Sequence, residues 1–195
     1  MTAQIQDRLL FKKDDYVIVG VKIINTPLPT PQDYGISPIM INIACYRGYY
    51  VAYAIENNRL FLTNLCVRDQ NDEYPFIQGF LGEWDEDNQL QRYSHLLLPI
   101  NFSGRLLLGR DFIGSMFVHM GYQKPLSYRH VIELWVHKGE IIDLFDLSIK
   151  VAVRREQYLD SNQGNPAIGV GYRPLGNVDD IAAWVNHMFS LDYDI

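Results

Sequence analysis

Alternating apolar and polar positions predict a strand near the start of the chain. The apolar side of residues 16–24 is formed by Val17, Val19, Val21 and Ile23. This period of two is typical of a strand with one buried side. Residues 25–38 then contain four prolines, Pro27, Pro29, Pro31 and Pro38. Because proline fixes φ and lacks an N–H group, this segment is predicted to be an ordered loop or an extended edge segment.

A hairpin is predicted around Asn57-Asn58, which separates apolar runs at residues 39–56 and 59–68. Two consecutive asparagines tolerate positive φ, as a two-residue type I′ turn requires. The resulting register pairs Ile55 with Leu60, Ala54 with Phe61, Tyr53 with Leu62, and Tyr49 with Cys66. If the strand is unbroken through Gly48, Cys45 then lies about 13 Å from Cys66. A disulfide needs Cα atoms within about 7 Å, so we expect none.

Several later segments are also predicted to be extended. The predicted elements are a strand at 102–108, a turn at 109–114, a strand at 116–120 with Met116, Val118 and Met120 on one face, and strands at 127–137 and 140–151 flanking Lys138-Gly139. Residues 89–98 fit either a short helix or a strand, because their period is unclear.

A helix is predicted close to the end of the sequence, at residues 178–189. Asn177 is a suitable N-cap residue, and two aspartates fall in the first turn. One apolar stripe is formed by Ile181, Trp184, Val185 and Met188. Residues 159–177, which are rich in glycine and proline, are predicted to be the loop before this helix.

These elements favour a single globular domain, 1–195, of the α+β class and dominated by β-structure. Consecutive strands with short turns predict a mainly antiparallel sheet, curved or barrel-like, with the C-terminal helix packed on it. A pure barrel whose end is plugged or capped by the helix is the alternative.

Composition excludes several classes of protein. Apolar residues make up 48% of the 195 and charged residues 21%, which excludes intrinsic disorder. A net charge of −6 disfavours general binding to nucleic acids or anionic membranes. No apolar run approaches the roughly 20 residues that span a bilayer. Residues 1–15 do not fit a secretory leader, and with only two cysteines the expected compartment is the cytoplasm.

Residues 69–88 form the most acidic segment of the sequence. They include seven carboxylates and neither lysine nor arginine. The spacing does not fit the EF-hand calcium loop, because no glycine follows Asp85 and Asp87 at the turn position. A solvated acidic loop is the predicted structure.

Signatures of catalysis and cofactor binding are missing from the sequence. It has no phosphate-binding loop and no nucleophile elbow, and its five histidines lack zincin spacing. Gly169-Val170-Gly171 does not stand between a strand and a helix as a dinucleotide site requires. The sequence therefore predicts no catalytic residue, no cofactor and no metal site, and favours a non-enzymatic protein.

Tyrosine and arginine side chains are instead the predicted binding residues. These residue types dominate energetic hot spots at protein interfaces, because they combine contact area with directed hydrogen bonds. The candidate residues are Tyr46, Arg47, Tyr49, Tyr53, Tyr122, Tyr128 and Arg129. We expect a protein partner, and a basic one would suit the negative charge. An immunity- or antitoxin-like role is the leading hypothesis.

A different hypothesis is a small-molecule-binding protein or hydrolase with a pocket near His119. His119 precedes Gly121-Tyr122, and a histidine beside a glycine turn and a tyrosine can orient a ligand or a proton. Glu133 is the candidate acid. This hypothesis predicts a concave pocket that holds His119 beside a carboxylate.

Two motifs carry a resemblance to known sequences. Arg47-Gly48-Tyr49 followed by Ala52, Ile55 and the run 59–62 resembles an R-G-Y…A…I…R-L-F-L pattern. Gly104-x-Leu106 and the later Val118-His119-Met120-Gly121-Tyr122 resemble a G-x-L…V-H-M-G-Y pattern. Both patterns, across residues 46–140, are similar to small uncharacterised bacterial proteins. The resemblance implies a bacterial intracellular protein and carries over no functional residue.

Overall fold

Ten strands form the sheet of this protein, in a computed structural model that describes residues 2–161 and 188–193. The strands are β1 Arg8–Phe11, β2 Asp14–Thr26, β3 Tyr49–Glu56, β4 Arg59–Val67, β5 Glu83–Asp85, β6 Leu90–Tyr93, β7 Leu98–Pro99, β8 Ser103–Phe112, β9 Tyr128–His137 and β10 Glu140–Asp146. They are accompanied by one described α-helix, α1 Ser148–Ser161, and by 3-10 turns at Pro31–Tyr34, Gly114–Met116 and Pro125–Ser127.

Seven of these strands close into a barrel. The order runs β10-β9-β8-β2-β1-β3-β4, and β10 pairs back to β4 where Glu140 lies opposite Arg59. The β1–β3 pair is parallel and the other neighbouring pairs are antiparallel. Strands β6 and β5 continue the sheet outward from β4. This confirms the α+β, β-dominated fold with a barrel-like sheet and a helix packed on it.

The core fills the barrel and continues under the helix. Inward-facing side chains include Ile18, Leu106 and Leu134, all almost completely buried. Strand β2 was predicted to have one buried and one mixed side. Both sides are buried in its first half, where Tyr16 and Ile18 face the interior, whereas Ile23 of the predicted buried side is 59% exposed. Val19 packs outward in a second cluster with Val151 of α1, because the helix lies against the outer surface of the barrel.

The first four residues of helix α1, 148–151, lie in the predicted strand 140–151. Ile149, Val151 and Val153 alternate like a strand, yet only Val151 of the three is buried. The Asp146 carboxylate accepts a hydrogen bond from the Ser148 N–H at 2.9 Å and starts the helix. The predicted strand 140–151 is therefore wrong beyond residue 146.

The predicted hairpin at Asn57-Asn58 is confirmed, with φ of 48° and 66°. Three of the predicted pairs also occur, but a β-bulge between Ala52 and Tyr53 shifts the rest by one residue. Cys66 therefore lies opposite Tyr50 rather than Tyr49. Both cysteines are free and buried, as expected.

Four further segments differ from their predicted structure. The strand does not run unbroken through Gly48, whose φ of 79° places it in a turn. Residues 109–112 continue strand β8. Residues 116–120 do not form a strand, although Met116 and Val118 are buried as predicted for an apolar face. Residues 90–93 form a strand, which was one of the two alternatives, helix or strand, for residues 89–98.

The predicted C-terminal helix, 178–189, lies outside the described residues except for its last two positions. Those two are helical, and Met188 is buried, with its carbonyl accepting the Tyr122 N–H at 2.9 Å. Of the predicted loop 159–177, the first three residues belong to α1 and the rest lies outside the described residues. In the described ranges no helix is long and apolar enough to cross a membrane.

Candidate functional site

The Arg47 cluster is a connected group of four residues at one end of the barrel: Asp7, Arg47, Tyr49 and Tyr122. The Arg47 guanidinium donates to both Asp7 carboxylate oxygens, at 2.9 Å from Nη1 and by a shorter contact from Nη2. Its Nε donates to the Tyr49 carbonyl at 2.7 Å. The guanidinium carbon also lies 4.5 Å from the Tyr49 ring centroid and 5.8 Å from that of Tyr122.

The electrostatics of the Arg47 cluster favour a fixed ion pair. Burial opposes the charge of Arg47, but the adjacent Asp7 carboxylate more than offsets this and raises the pKa of the guanidinium. Asp7 also accepts a hydrogen bond from the Val51 N–H at 2.8 Å. Burial raises the pKa of Tyr49 and Tyr122 as well, so both phenols stay neutral at ordinary pH.

The N-terminal segment ties the surrounding loops to the Arg47 cluster. The side-chain oxygen of Gln4 accepts a hydrogen bond from the Tyr46 N–H at 2.9 Å, and its side-chain nitrogen donates one to the Ile43 carbonyl at 3.0 Å. The side-chain oxygen of Gln6 accepts a hydrogen bond from the Tyr128 hydroxyl at 2.8 Å. Such a satisfied network holds three chain segments together, and it gives the Arg47 cluster a structural role that needs no ligand.

The predicted binding residues do not share one exposed face. Tyr46, His119 and Arg129 are exposed, whereas Arg47 and Tyr49 are half-buried. The remaining three are buried: Tyr53, Tyr122 and Tyr128. Tyr53 and Tyr128 face opposite sides of the barrel wall, since one packs in the interior and the other under α1. A partner can therefore reach only part of the predicted set.

His119 is exposed, and its described contact is the edge of the Phe117 ring at 5.0 Å. The candidate acid Glu133 is buried and engaged elsewhere. Its two oxygens accept hydrogen bonds from Trp135 Nε1 at 2.5 Å and from the Tyr193 hydroxyl at 2.7 Å. No described contact joins His119 to Glu133, and the His119 hypothesis stays a prediction.

The acidic loop, residues 69–88, is held in place by contacts inside the fold. Asp69 is 2% exposed, and its carboxylate accepts backbone N–H groups of Ser37, Asn71 and Glu73. These hydrogen bonds outweigh the effect of burial and lower the pKa of Asp69. Ile77, 1% exposed, anchors the middle of the loop in the core.

Exposed hydrophobic side chains project from this anchored loop. The loop patch consists of Phe76, Phe80, Leu81 and Trp84, which are 66%, 39%, 63% and 39% exposed. Ile77 and Phe80 exchange backbone hydrogen bonds across Gln78 and Gly79, both at positive φ, so the chain forms a tight two-residue turn. Alternation along the chain then places Phe76 and Leu81 on the side away from the Ile77 anchor.

Carboxylates surround the loop patch. Asp72, Glu73, Glu83, Glu86 and Asp87 are exposed. The Asp85 carboxylate accepts hydrogen bonds from Arg92 Nη2 at 2.6 Å and from the Asn88 side chain at 3.0 Å. These bonds lower the pKa of Asp85 to about 2. The loop is therefore apolar at its tip and anionic around it.

The loop patch was not predicted from the sequence, because the carboxylates of residues 69–88 indicated a solvated loop. The signal was present, since four large apolar residues fall within positions 76–84 of the most acidic segment. A segment that was only solvated would not need them.

Comparison with known proteins finds no family model that matches the chain, and no curated protein sequence or solved structure that is similar to it. Among the described residues, no group of three or more histidine, cysteine, aspartate or glutamate side chains is placed to hold a metal ion. The function is accordingly argued from the geometry of this chain.

Proposed function

We propose that this chain is a non-enzymatic protein-binding domain, and that the acidic loop docks a basic protein partner. The observation that supports this most directly is the loop patch, in which hydrophobic side chains up to two-thirds exposed stand among carboxylates. Large apolar side chains held in solvent within a polar segment are frequent at interaction sites.

The anchoring of the loop favours tight binding. Asp69 and Ile77 fix the backbone before any partner arrives, so less conformational entropy is lost on association. Trp84 and the neighbouring phenylalanines are the kind of side chain that fills pockets on a partner. The carboxylates around them would speed the encounter with a basic surface and set its orientation.

The specific form of the proposal is an immunity- or antitoxin-like protein in the bacterial cytoplasm. It adds that the partner is a basic toxin whose activity is lost when the acidic loop binds it. The net charge of −6 supports this form, because acidic inhibitors are attracted to basic targets over long range. Two buried, unpaired thiols suit a reducing compartment.

Site-specific photocrosslinking in the organism that encodes the chain tests the proposal. A benzophenone side chain replaces Leu81 in the loop patch, and in a matched control it replaces Ile149, an exposed apolar residue of α1 that is 83% accessible. We expect one basic protein to crosslink from position 81 and not from position 149.

The captured protein is then purified and titrated with the wild-type domain and with Phe76→Ser. We expect at least tenfold weaker binding by the variant and a further loss of affinity as salt rises. The proposal fails if no protein crosslinks at position 81, if both positions capture the same proteins, or if Phe76→Ser binds like wild type.

A further inference from the structure

A trough with a mixed apolar and polar lining crosses the outer surface of strands β1, β3 and β4, away from the acidic loop's tip. It encloses about 600 Å³, within the usual size of a small-molecule site. Its floor is low because the outward side chains of β3 at this point are Ala52 and Ala54. On β4, Asn64 lies opposite Ala52 and Phe61 lies opposite Ala54, and Thr63 is the extra residue of the β-bulge.

The trough has two levels with different chemistry. At the first level Leu10 lies beside Ala54 on one wall, and Leu97 forms the other wall. Both leucines are about half exposed, at 48% and 51%. An alanine floor between two exposed leucines offers an apolar slot.

At the second level the walls become polar. Arg8 lies beside Ala52, and Ala52 lies opposite Asn64, whose amide donates to Ser94. His95 lines the trough on the β4 side, and Arg92 lines it one level further along, opposite Cys66. Two residues along a strand separate the levels by about 7 Å, so one small molecule can reach both.

Backbone strain accompanies the far wall. His95 and Leu97 have φ of 58° and 53°, in the left-handed region that side chains other than glycine rarely adopt. Hydrogen bonds from Leu96 N–H to the Thr63 carbonyl hold this segment against the sheet. The strained backbone presents both side chains to the trough, as is frequent at ligand clamps.

The carboxylates of the trough determine the orientation of a ligand. Asp15, which lines the trough, is paired with Arg8, and Asp85, which lies outside the lining, is paired with Arg92. Glu56 lies four residues along β3 from Ala52, about 13 Å away. An anionic group is therefore repelled from the Glu56 end and favoured at the end that holds Arg8, Asn64 and His95.

We propose that this trough binds a small amphipathic carboxylic acid. Its aliphatic body lies over Ala54 between Leu10 and Leu97, and its carboxylate faces Arg8, Asn64 and His95. This ligand site is separate from the docking role of the acidic loop, and either can hold without the other.

Titration with sodium decanoate, followed by NMR of alanine methyl groups and by calorimetry, tests the site. We expect saturable shifts at Ala52 and Ala54 while Ala44, on a distant turn, stays unchanged. Decanol and decyltrimethylammonium, which have the same chain with no charge or a positive charge, should bind at least fivefold more weakly. Shifts that are absent or map elsewhere, or equal affinity for the three amphiphiles, overturn the proposal.

Two matched pairs of variants sharpen the test. Ala54→Phe fills the floor and should reduce decanoate affinity at least tenfold, whereas Val153→Phe adds the same ring on exposed α1 and should not. Arg8→Gln should weaken decanoate several-fold but leave decanol unchanged, and Arg59→Gln, at the end of the hairpin, should alter neither. Unchanged binding by Ala54→Phe, with its fold verified by dichroism, overturns the proposal.

Phe76→Ser separates this result from the docking proposal. It removes part of the loop patch and should bind decanoate like wild type. If it lowers decanoate affinity as much as Ala54→Phe does, the acid binds at the loop patch and the trough assignment is wrong.

Discussion

The Arg47 cluster and the acidic loop are opposites in what their sequences suggest and in what their side chains do. The first contains the tyrosines and the arginine expected at a binding surface, yet Arg47 is bound to Asp7 and to the Tyr49 carbonyl. The second is dominated by carboxylates expected to be solvated, yet it exposes Phe76 and Leu81 from a fixed backbone. Residue type alone therefore does not show whether a side chain is exposed to a partner.

The two regions differ in how much hydrophobic area they leave exposed to a partner. Aromatic side chains next to a buried ion pair are already used to shield it from water. Phe76 and Leu81 on the anchored loop stay exposed, so under the proposed function their area is available to a second molecule. The predictions that follow test this division between structure and binding.

The largest effect is expected from Asp7→Asn. The substitution removes the counter-charge of a largely buried guanidinium, and breaking such a pair costs about 3 kcal/mol. Urea denaturation measures the change in the free energy of unfolding. Arg8→Gln breaks the exposed Arg8–Asp15 pair and serves as the control, with an expected cost of no more than about 1 kcal/mol. Equal losses in the two variants would contradict a structural role for the Arg47 cluster.

A smaller loss is expected from Asp69→Ala. The variant leaves the backbone N–H groups of Ser37, Asn71 and Glu73 without their acceptor, at a cost of about 2 kcal/mol. Asp72→Ala, an exposed carboxylate of the same loop, is the control and should change stability by less than about 0.5 kcal/mol. Partner binding should also weaken in Asp69→Ala, because the loop patch loses its fixed backbone. A variant that keeps wild-type stability would show that the loop is not anchored in this way.

Acidification should loosen the loop before the barrel. Asp85 has a pKa of about 2, against an ordinary 3.8, and the pKa of Asp69 is also lowered. A carboxyl group whose folded pKa is depressed contributes stability above its unfolded pKa and loses it as the pH falls through the folded pKa. NMR titration from pH 5 to pH 2 should therefore shift the amides of Asn71, Glu73 and Asn88 between about pH 4 and pH 2.

The Asn58 amide is the reference for that titration. The Asn58 side chain bonds the Ile141 carbonyl, in a turn without a carboxylate acceptor, and its signal should move last. Simultaneous shifts at both places would mean that acid unfolds the whole domain and does not act on the loop.

The smallest effect on stability, and a large one on binding, is expected from Phe76→Ser. The side chain is 66% exposed, so its loss should change the free energy of unfolding by less than about 0.5 kcal/mol. Tyr53→Ser, a buried tyrosine of the predicted binding set, should instead destabilise by about 3 kcal/mol. Strong destabilisation by Phe76→Ser would place Phe76 in the core and remove the basis for the docking proposal.

The sequence predicted the local parts of the fold well and their continuation less well. Asn57-Asn58 determined the first hairpin, because positive φ at consecutive residues leaves few other turns. The sequence placed the second hairpin at Lys138-Gly139 but left open a loop of two or three residues, and the pairing of His137 with Glu140 makes it two. Helix α1 was missed because the alternation of Ile149, Val151 and Val153 fits a strand as well as it fits a helix with one buried position. The bulge at Ala52 was also missed, since no residue pattern in the sequence marks it.

By itself, the sequence determined the β-dominated class, the hairpins and the negative charge, because these follow from side-chain alternation, turn chemistry and composition. Only the tertiary structure decided which aromatic residues are exposed. Tyr53 and Phe76 differ little as residue types, but barrel closure buries the first and the Ile77 anchor turns the second outward. Exposure depends on contacts between segments far apart in the chain, and local patterns carry no information about those contacts.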